Sequence, residues 1–279
     1  MSMTDLFQPV DDPDDPRLAV FRLNERGLSS RPQRRNDHGE GLFMAEGDLV
    51  VERALQAGCI PVVGLVDELR PPPVAHRLAQ HVPVYAGGEH VRALVTKLGV
   101  PNAVIAIFQR PPRTTVSHLA AVAHRLVVVE AVDNPANIGA IIRNAAGLGW
   151  DGLITDSTSA DPLARRSMRV SMGHAVVFPH ARAVDAPAAI RTLLDHGFTI
   201  AALTPDRRAI DIADIADGHS LDGHLLDRLA VCVGAERTGL SDSLMDAATL
   251  RVRIPMQAGI DSLNVAAATA IACHALRRR

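Results

Sequence analysis

Lysine is almost missing from this chain: Lys97 is the single one, and the other 28 of the 29 cations are arginine. Aromatic residues are scarce too, at 3%, with one Trp and one Tyr. That argues against a surface on which single-stranded bases stack on aromatic platforms. Cysteine is sparse and odd in number, with Cys59, Cys232 and Cys273 far apart, which fits a reducing compartment. Neither C-x-x-C nor H-E-x-x-H occurs, so no metal site is expected. No apolar run approaches the roughly 18 residues of a membrane helix. The acidic, proline-containing start lacks the basic and then apolar order of a signal peptide. A cytoplasmic protein without membrane contact is therefore expected.

What is present is an ordinary globular composition, 47% hydrophobic and 22% charged over 279 residues. At about 150 residues per domain this predicts two domains. The net charge of −2 argues at first against a nucleic-acid partner. Its distribution reverses that reading. Residues 1–16 hold five acids (Asp5, Asp11, Asp12, Asp14, Asp15) and no Lys or Arg, which leaves the remainder at +3. Six arginines (17, 22, 26, 31, 34 and 35) against Glu25 make 17–35 locally +5. Residues 1–16 are expected to be a disordered leader, and 17–35 a short helix followed by a mobile basic loop. The planar guanidinium fork suits phosphate, so this segment is either a solvated face or a contact to a polyanion.

Strand and helix signals then alternate. Strands are expected at 41–45, 60–66, 82–85 and 103–109, with helices at 48–57 and 89–98. Arg110-Pro-Pro-Arg113 and the Thr-Thr-Val-Ser that follows make a stiff polar break. The expected organisation is a small α/β domain over 17–110, a linker over 111–122 and a second α/β domain over 123–279. In the second domain, strands are expected at 126–132, 151–155, 175–178, 198–203, 229–233 and 249–254, with a last helix at about 262–275. Continuous apolar runs such as Leu126-Val-Val-Val129 suit a parallel sheet covered on both faces. Ligands in such sheets bind in the loops beyond the carboxyl ends of strands.

Two glycine patterns are decoys. Gly147-x-Gly149-x-x-Gly152 leaves a helix and enters a strand, the reverse of a dinucleotide-binding turn. Gly234 to Gly239 is followed by Leu240-Ser241 rather than Lys and Ser/Thr, which excludes a P-loop. Three other loops carry the chemistry. The first is Asn134-Pro-x-Asn137-x-Gly139-x-x-x-Arg143-x-Ala145. In it Asn137 is a candidate helix cap, and Arg143, set among apolar neighbours, is either a structural ion-pair partner or a functional cation. The second is Gly234-x-Glu236-x-x-Gly239-Leu240, where Glu236 is either a solvated loop acid or a functional carboxylate. The third is Ile254-Pro-Met256 and then Ser262-Leu-Asn-Val-Ala266, with Asp261 or Ser262 as candidate cap of the last helix.

Together, in this order, the three loops resemble the three motifs of the SpoU-type RNA 2′-O-ribose methyltransferases of the SPOUT superfamily. The stretch from Gly41 to Leu55 also resembles the start of that family's substrate-binding domain, and the likeness covers most of 18–279. The resemblance implies a small N-terminal α/β RNA-binding domain and a C-terminal parallel α/β domain with a trefoil knot, a topology otherwise rare. It implies S-adenosylmethionine as cofactor, held by Gly234, Ile254 and Leu263 with Leu203, Thr204 and Met256 beside them. It makes Arg143 the essential arginine, with Asn137, Glu236, Ser262 and Asn264 as the surrounding polar set. It implies homodimers with sites near the interface, and structured RNA as substrate, ribosomal rather than transfer RNA. Candidate RNA contacts are Arg31, Arg34, Arg35, Arg110, Arg113, Arg165, Arg166 and Arg169. The same chemistry on transfer RNA, a fold that binds RNA without catalysis, and a nucleotide-dependent oxidoreductase are the competing readings.

Overall fold

The structure is a computed structural model and describes residues 6–215 and 227–278. After β1 (Gln8–Pro9) come α1 (Glu25–Leu28), α2 (Arg31–Arg35), β2 (Leu42–Glu46), α3 (Asp48–Gln56), β3 (Pro61–Asp67) and α4 (Pro73–Leu78). Then follow β4 (Val84–Gly87), α5 (Glu89–Thr96), β5 (Val104–Gln109), α6 (Val116–Val122), β6 (Arg125–Val129), α7 (Pro135–Gly147), β7 (Gly152–Thr155) and α8 (Arg165–Val170). The last stretch holds β8 (His180–Arg182), α9 (Ala186–Asp195), β9 (Thr199–Leu203), β10 (Ile210–Asp211), α10 (Ile212–Ile215), β11 (Leu229–Val233), α11 (Asp242–Ala247), β12 (Leu250–Arg253) and α12 (Val265–Ala275). The chain divides into two compact units, Met1–Pro112 with Leu163–Val177, and Arg113–Pro162 with Phe178–Arg279.

The first unit is a five-stranded sheet in the order β1-β4-β3-β5-β2, antiparallel at β3–β5 and β5–β2. Its core gathers Leu18, Phe21, Met44, Leu65, Val91 and Ile105. The expected disordered leader is corrected from Gln8 onward. Gln8 and Pro9 pair with Tyr85 and Ala86, and Val10, whose amide donates to the Ala86 carbonyl at 2.9 Å, is buried in the core. The leader's acids also act locally. Asp15 accepts from the Arg17 amide at 2.8 Å and pairs with the Arg17 guanidinium, whose hydrogen bonds hold the Asp15 carboxyl below its ordinary range. Residues 1–5 of the leader lie outside the described ones. The expected basic loop is helical instead: a 3-10 helix over Pro16–Arg22, then α1 and α2, the latter closed by a capping box of Ser30 and Gln33.

α8 belongs to this unit, although the sequence assigned 123–279 to one domain. The reason is electrostatic. Glu46, at the end of β2, has a fully buried carboxylate that pairs with Arg165 and lies 3.7 Å from Arg169. Arg165 also donates to the Thr96 carbonyl at 2.8 Å, and its amide to Glu25 at 2.6 Å. A buried carboxylate needs such partners.

The second unit is a seven-stranded, all-parallel sheet in the order β10-β12-β9-β11-β6-β7-β8. One face packs Leu126, Val128, Ala230 and Cys232 against α6, α9 and α11 through Leu119, Ile190, Leu193 and Leu244. On the other side α7 and α12 pack on one another. Burial on both sides explains the unbroken apolar strands. Residues 116–122, expected as linker, are therefore α6, because Leu119 and Ala120 are core. The strand expected at 175–178 is a 3-10 turn at His174–Val176 instead, and β8 starts beyond Pro179, which has no amide to donate. Arg125 is buried where α12 ends, donating to the Leu276 and Asp227 carbonyls at 3.0 and 2.8 Å, and desolvation lowers its pKa.

Candidate active site

β12, β9, β11 and β6 are consecutive neighbours in a parallel sheet, so the segments that follow them emerge along one edge. This is where α/β sheets bind ligands. The three sequence loops are the ones that leave β6, β11 and β12.

The first loop turns at Ala131, in left-handed geometry at φ 55°, which ends the strand short of the expected 132. Asn134, not Asn137, caps α7, accepting from the Ala136 amide at 3.0 Å. Asn137 lies within the first helical turn, buried, and its carboxamide is free to reach across loops. Its Nδ2 donates to Glu236 Oε1 in the second loop. Its Oδ1 accepts from Asn264 Nδ2 in the third at 3.2 Å. Asn264, not Asp261 or Ser262, caps α12, its Oδ1 accepting from the Ala266 and Ala267 amides at 2.9 and 3.3 Å. Three loops far apart in sequence are thus joined by one chain of carboxamide and carboxylate. Asn144 adds a bond to the Ala266 carbonyl at 3.3 Å.

Arg143 is exposed on α7, opposite the buried Ile141, Ile142 and Ala145. Among the described residues it makes no hydrogen bond or ion pair, which removes the structural ion-pair reading. An exposed guanidinium on a helix face is available to an incoming anion.

In the second loop the Gly239 amide donates to the Ala235 carbonyl at 2.9 Å, and the chain folds back so tightly that a Cβ on Gly234 would lie 2.2 Å from the Gly239 backbone. Gly239 has φ 69°, a conformation that favours glycine. At the same edge, Leu203 ends β9, and the Thr204 amide donates to the Val252 carbonyl at 2.9 Å. Ile254 and Met256 are half-buried beyond β12, and Leu263 is 39% exposed. Ser262 is exposed.

Two carboxylates here went unnoticed in sequence. Glu130 follows β6 and takes the Ser241 amide and hydroxyl at 2.7 and 2.8 Å. Asp156 follows β7 and accepts from Ser159, Thr158 and the Ala131 amide. Burial pushes the Asp156 carboxyl up, but these hydrogen bonds outweigh it and hold it below the usual range. A depressed pKa stabilises the fold above the unfolded value and loses that contribution as pH falls through the folded one. Asp156→Asn is therefore expected to lower stability near neutral pH and to flatten the acid limb, as read by urea titrations at several pH values. The signal available in sequence was a lone acid at the carboxyl end of an apolar strand.

The candidate RNA arginines fall into two groups. Arg165 pairs with Glu46 and Arg169 lies 3.7 Å from it, so both offset its charge. Arg34 donates to the Glu25 carbonyl at 3.2 Å and also to that of Ser29. Arg110 is buried and Arg113 half-buried. Arg31, Arg35 and Arg166 are exposed.

Among the described residues, no group of three or more His, Cys, Asp or Glu could hold a metal ion. No described helix is long and apolar enough to cross a membrane. Burial raises all three thiols, Cys59 to about 11, so none is a ready nucleophile.

Residues 124–274 match the family described as SpoU rRNA Methylase. A tRNA/rRNA methyltransferase of Mycobacterium bovis, itself uncharacterized, is 39% identical over 96% of this chain and 90% of its own length. The 23S rRNA (guanosine(2553)-2′-O)-methyltransferase of Bacillus subtilis is 26% identical over 84% of this chain and 88% of its own. A crystal structure of an AdoMet-bound rRNA methyltransferase from Sinorhizobium meliloti superposes with a TM-score of 0.79 at 26% identity, covering 98% of both chains.

Proposed function

We propose, for a chain that belongs to the SpoU rRNA methylase family, the transfer of a methyl group from S-adenosylmethionine to a ribose 2′-hydroxyl of structured RNA. The observation that carries this reading is the bonded chain Glu236–Asn137–Asn264, which joins the second, first and third motifs, on a helix that also carries the exposed Arg143.

The residues fit the cofactor. Leu203, Ile254, Met256 and Leu263 offer partly exposed apolar surface at the ends of neighbouring strands, beside loop backbone at Gly234 and Thr204. That combination suits a ring with apolar faces and a polar edge. Bound there, S-adenosylmethionine supplies an electrophilic methyl on a sulfonium centre. The protein's part is alignment and charge. A guanidinium keeps its proton, so Arg143 is poorly suited to act as a base. Arg143 is better suited to stabilising the oxyanion that develops at O2′ as its proton leaves, and to gripping the adjacent phosphate. Glu236, oriented by Asn137, holds the geometry of the second loop around it. In this reading Gly234→Ala forces the loop open. Calorimetry is expected to find cofactor affinity reduced by about 10-fold or more, the effect of at least one lost hydrogen bond of about 1.4 kcal/mol. Unchanged affinity would remove Gly234 from the cofactor set.

Ribosomal RNA is the favoured substrate, because the Bacillus subtilis relative that spans both units acts on 23S rRNA by its name. Structured RNA is read by shape, phosphate and 2′-hydroxyl, which needs few aromatics. Arg31, Arg35 and Arg166 are the exposed candidates for phosphate. Arg166→Ala is expected to reduce the salt dependence of RNA binding by about one charge, measured as the slope of log affinity on log salt. A cytoplasmic homodimer, joined through the second unit, and the trefoil knot complete the reading. Exposed Ile271 on α12, with exposed Ile260 and Leu263 in the segment before it, supports the first. The placement of β12 between β10 and β9 supports the second. Labelled-cofactor transfer into RNA tests the activity directly.

A further inference from the structure

We infer that Glu130 is a positioning residue that clamps both ends of the loop carrying Glu236. Its amide donates to the Val233 carbonyl at 3.0 Å, which fixes the loop where it leaves β11. Its carboxylate takes the Ser241 amide at 2.7 Å and the Ser241 hydroxyl at 2.8 Å, which fixes the loop where it enters α11. Ser241 is also the N-cap of α11, its hydroxyl accepting from the Leu244 amide at 3.3 Å, so the clamp is continuous with a helix. The direction of Glu130 is itself held. The next residue is the left-handed Ala131, whose amide donates to Asp156 at 3.2 Å.

Between the two clamped ends the loop is closed on itself by the Gly239–Ala235 bond, and Glu236 at its tip is tied to Asn137. At the Ser241 end Leu240 packs against the core of the second unit, but the polar side of the loop is open. Glu130, Asp156, Thr238 and Ser241 line an open groove of about 460 Å³. Hydrogen bonds to a charged group are the strong ones, and at this end those of Glu130 add to the Leu240 packing in keeping the loop from moving into that space. Glu130 acts on the reaction through Glu236 and Asn137 and touches no reacting atom. The inference rests on the methyl-transfer reading for its activity readout alone.

The test uses the full chain with Glu130→Ala, Glu130→Gln, Ser241→Ala and the Glu130→Ala/Ser241→Ala double substitution. Hydrogen exchange is followed across 234–241, and kcat and KM for RNA are measured separately. Glu130→Ala is expected to speed exchange in 234–241 by about 10-fold or more while β6 and β11 keep their protection. It is expected to lower kcat by a similar factor with KM for RNA unchanged. Glu130→Gln, which keeps an acceptor oxygen, recovers part of both. The double substitution loses no more than Glu130→Ala alone, as groups in one contact do. Unchanged exchange in 234–241, or double-mutant losses that multiply, would overturn the clamp. Should the wild-type chain transfer no methyl group to RNA, the activity reading fails, and the exchange data still decide the clamp.

Discussion

Replacing Arg143 by alanine is expected to slow methyl transfer by about two to three orders of magnitude without harming the fold. The side chain is exposed, and among the described residues it has no hydrogen bond or ion pair to lose. Surface substitutions away from such features usually change stability by about 0.5 kcal/mol or less. Cofactor affinity is expected to stay near that of the parent, because the candidate cofactor residues belong to β9, β11, β12 and their loops, and Arg143 to α7. Turnover is expected to fall by about 10²–10³-fold, the range seen when one preorganised donor to a developing oxyanion is removed. Arg143→Lys keeps charge but not the fork, so it should recover little. Single-turnover kinetics, calorimetry and thermal unfolding of the same preparations check the three parts. Near-parental turnover in Arg143→Ala would remove the residue from the reaction.

Arg165 gives the opposite pattern, a large loss of stability with little change in RNA electrostatics. Arg165→Ala strips the buried Glu46 carboxylate of its main partner and leaves Arg169 at 3.7 Å. Removing one partner of a buried pair costs about 3–5 kcal/mol. Glu46→Gln together with Arg165→Ala should be milder than Arg165→Ala alone, because no charge is left stranded. Urea unfolding measures the stability difference. The salt slope of RNA binding, measured below the unfolding transition, should stay within the error of the parent. A slope reduced by about one charge, with stability intact, would restore Arg165 to the RNA contact.

The sheet order was less legible than the strands. Runs such as Leu126 to Val129 and Leu229 to Val233 announce buried parallel strands, because such strands are apolar on both faces. Nothing local says that β12 inserts between β10 and β9, since strand neighbours are chosen by long-range pairing. The same holds for α8. Its sequence, Arg165-Arg-Ser-Met-Arg169, reads as a basic patch until Glu46, 119 residues away, is found beneath it.

The candidate site was legible as motifs and misread in detail. Asn137 looked like a cap because it sits near a helix start. The cap is three residues earlier at Asn134, and the displaced carboxamide is what joins the loops. Asn264 took the cap expected of Asp261 or Ser262, because its Oδ1 reaches two amides while its Nδ2 remains for Asn137. Side-chain bonds across loops leave no periodic trace. Glu130 and Asp156 were legible only as lone acids at strand ends, because the bonds they make cross loops. The early residues were misjudged on charge, since Val10 is core despite its acidic surroundings.

The most direct test incubates the protein with methyl-tritiated S-adenosylmethionine and total RNA, then hydrolyses the RNA in alkali. A methylated 2′-hydroxyl cannot attack the neighbouring phosphate, so label at that position survives as an alkali-resistant dinucleotide. The account predicts label in such a dinucleotide from ribosomal RNA, appearing about 10²–10³-fold more slowly with Arg143→Ala. Label confined to a base, or no transfer by the wild-type chain, would contradict it.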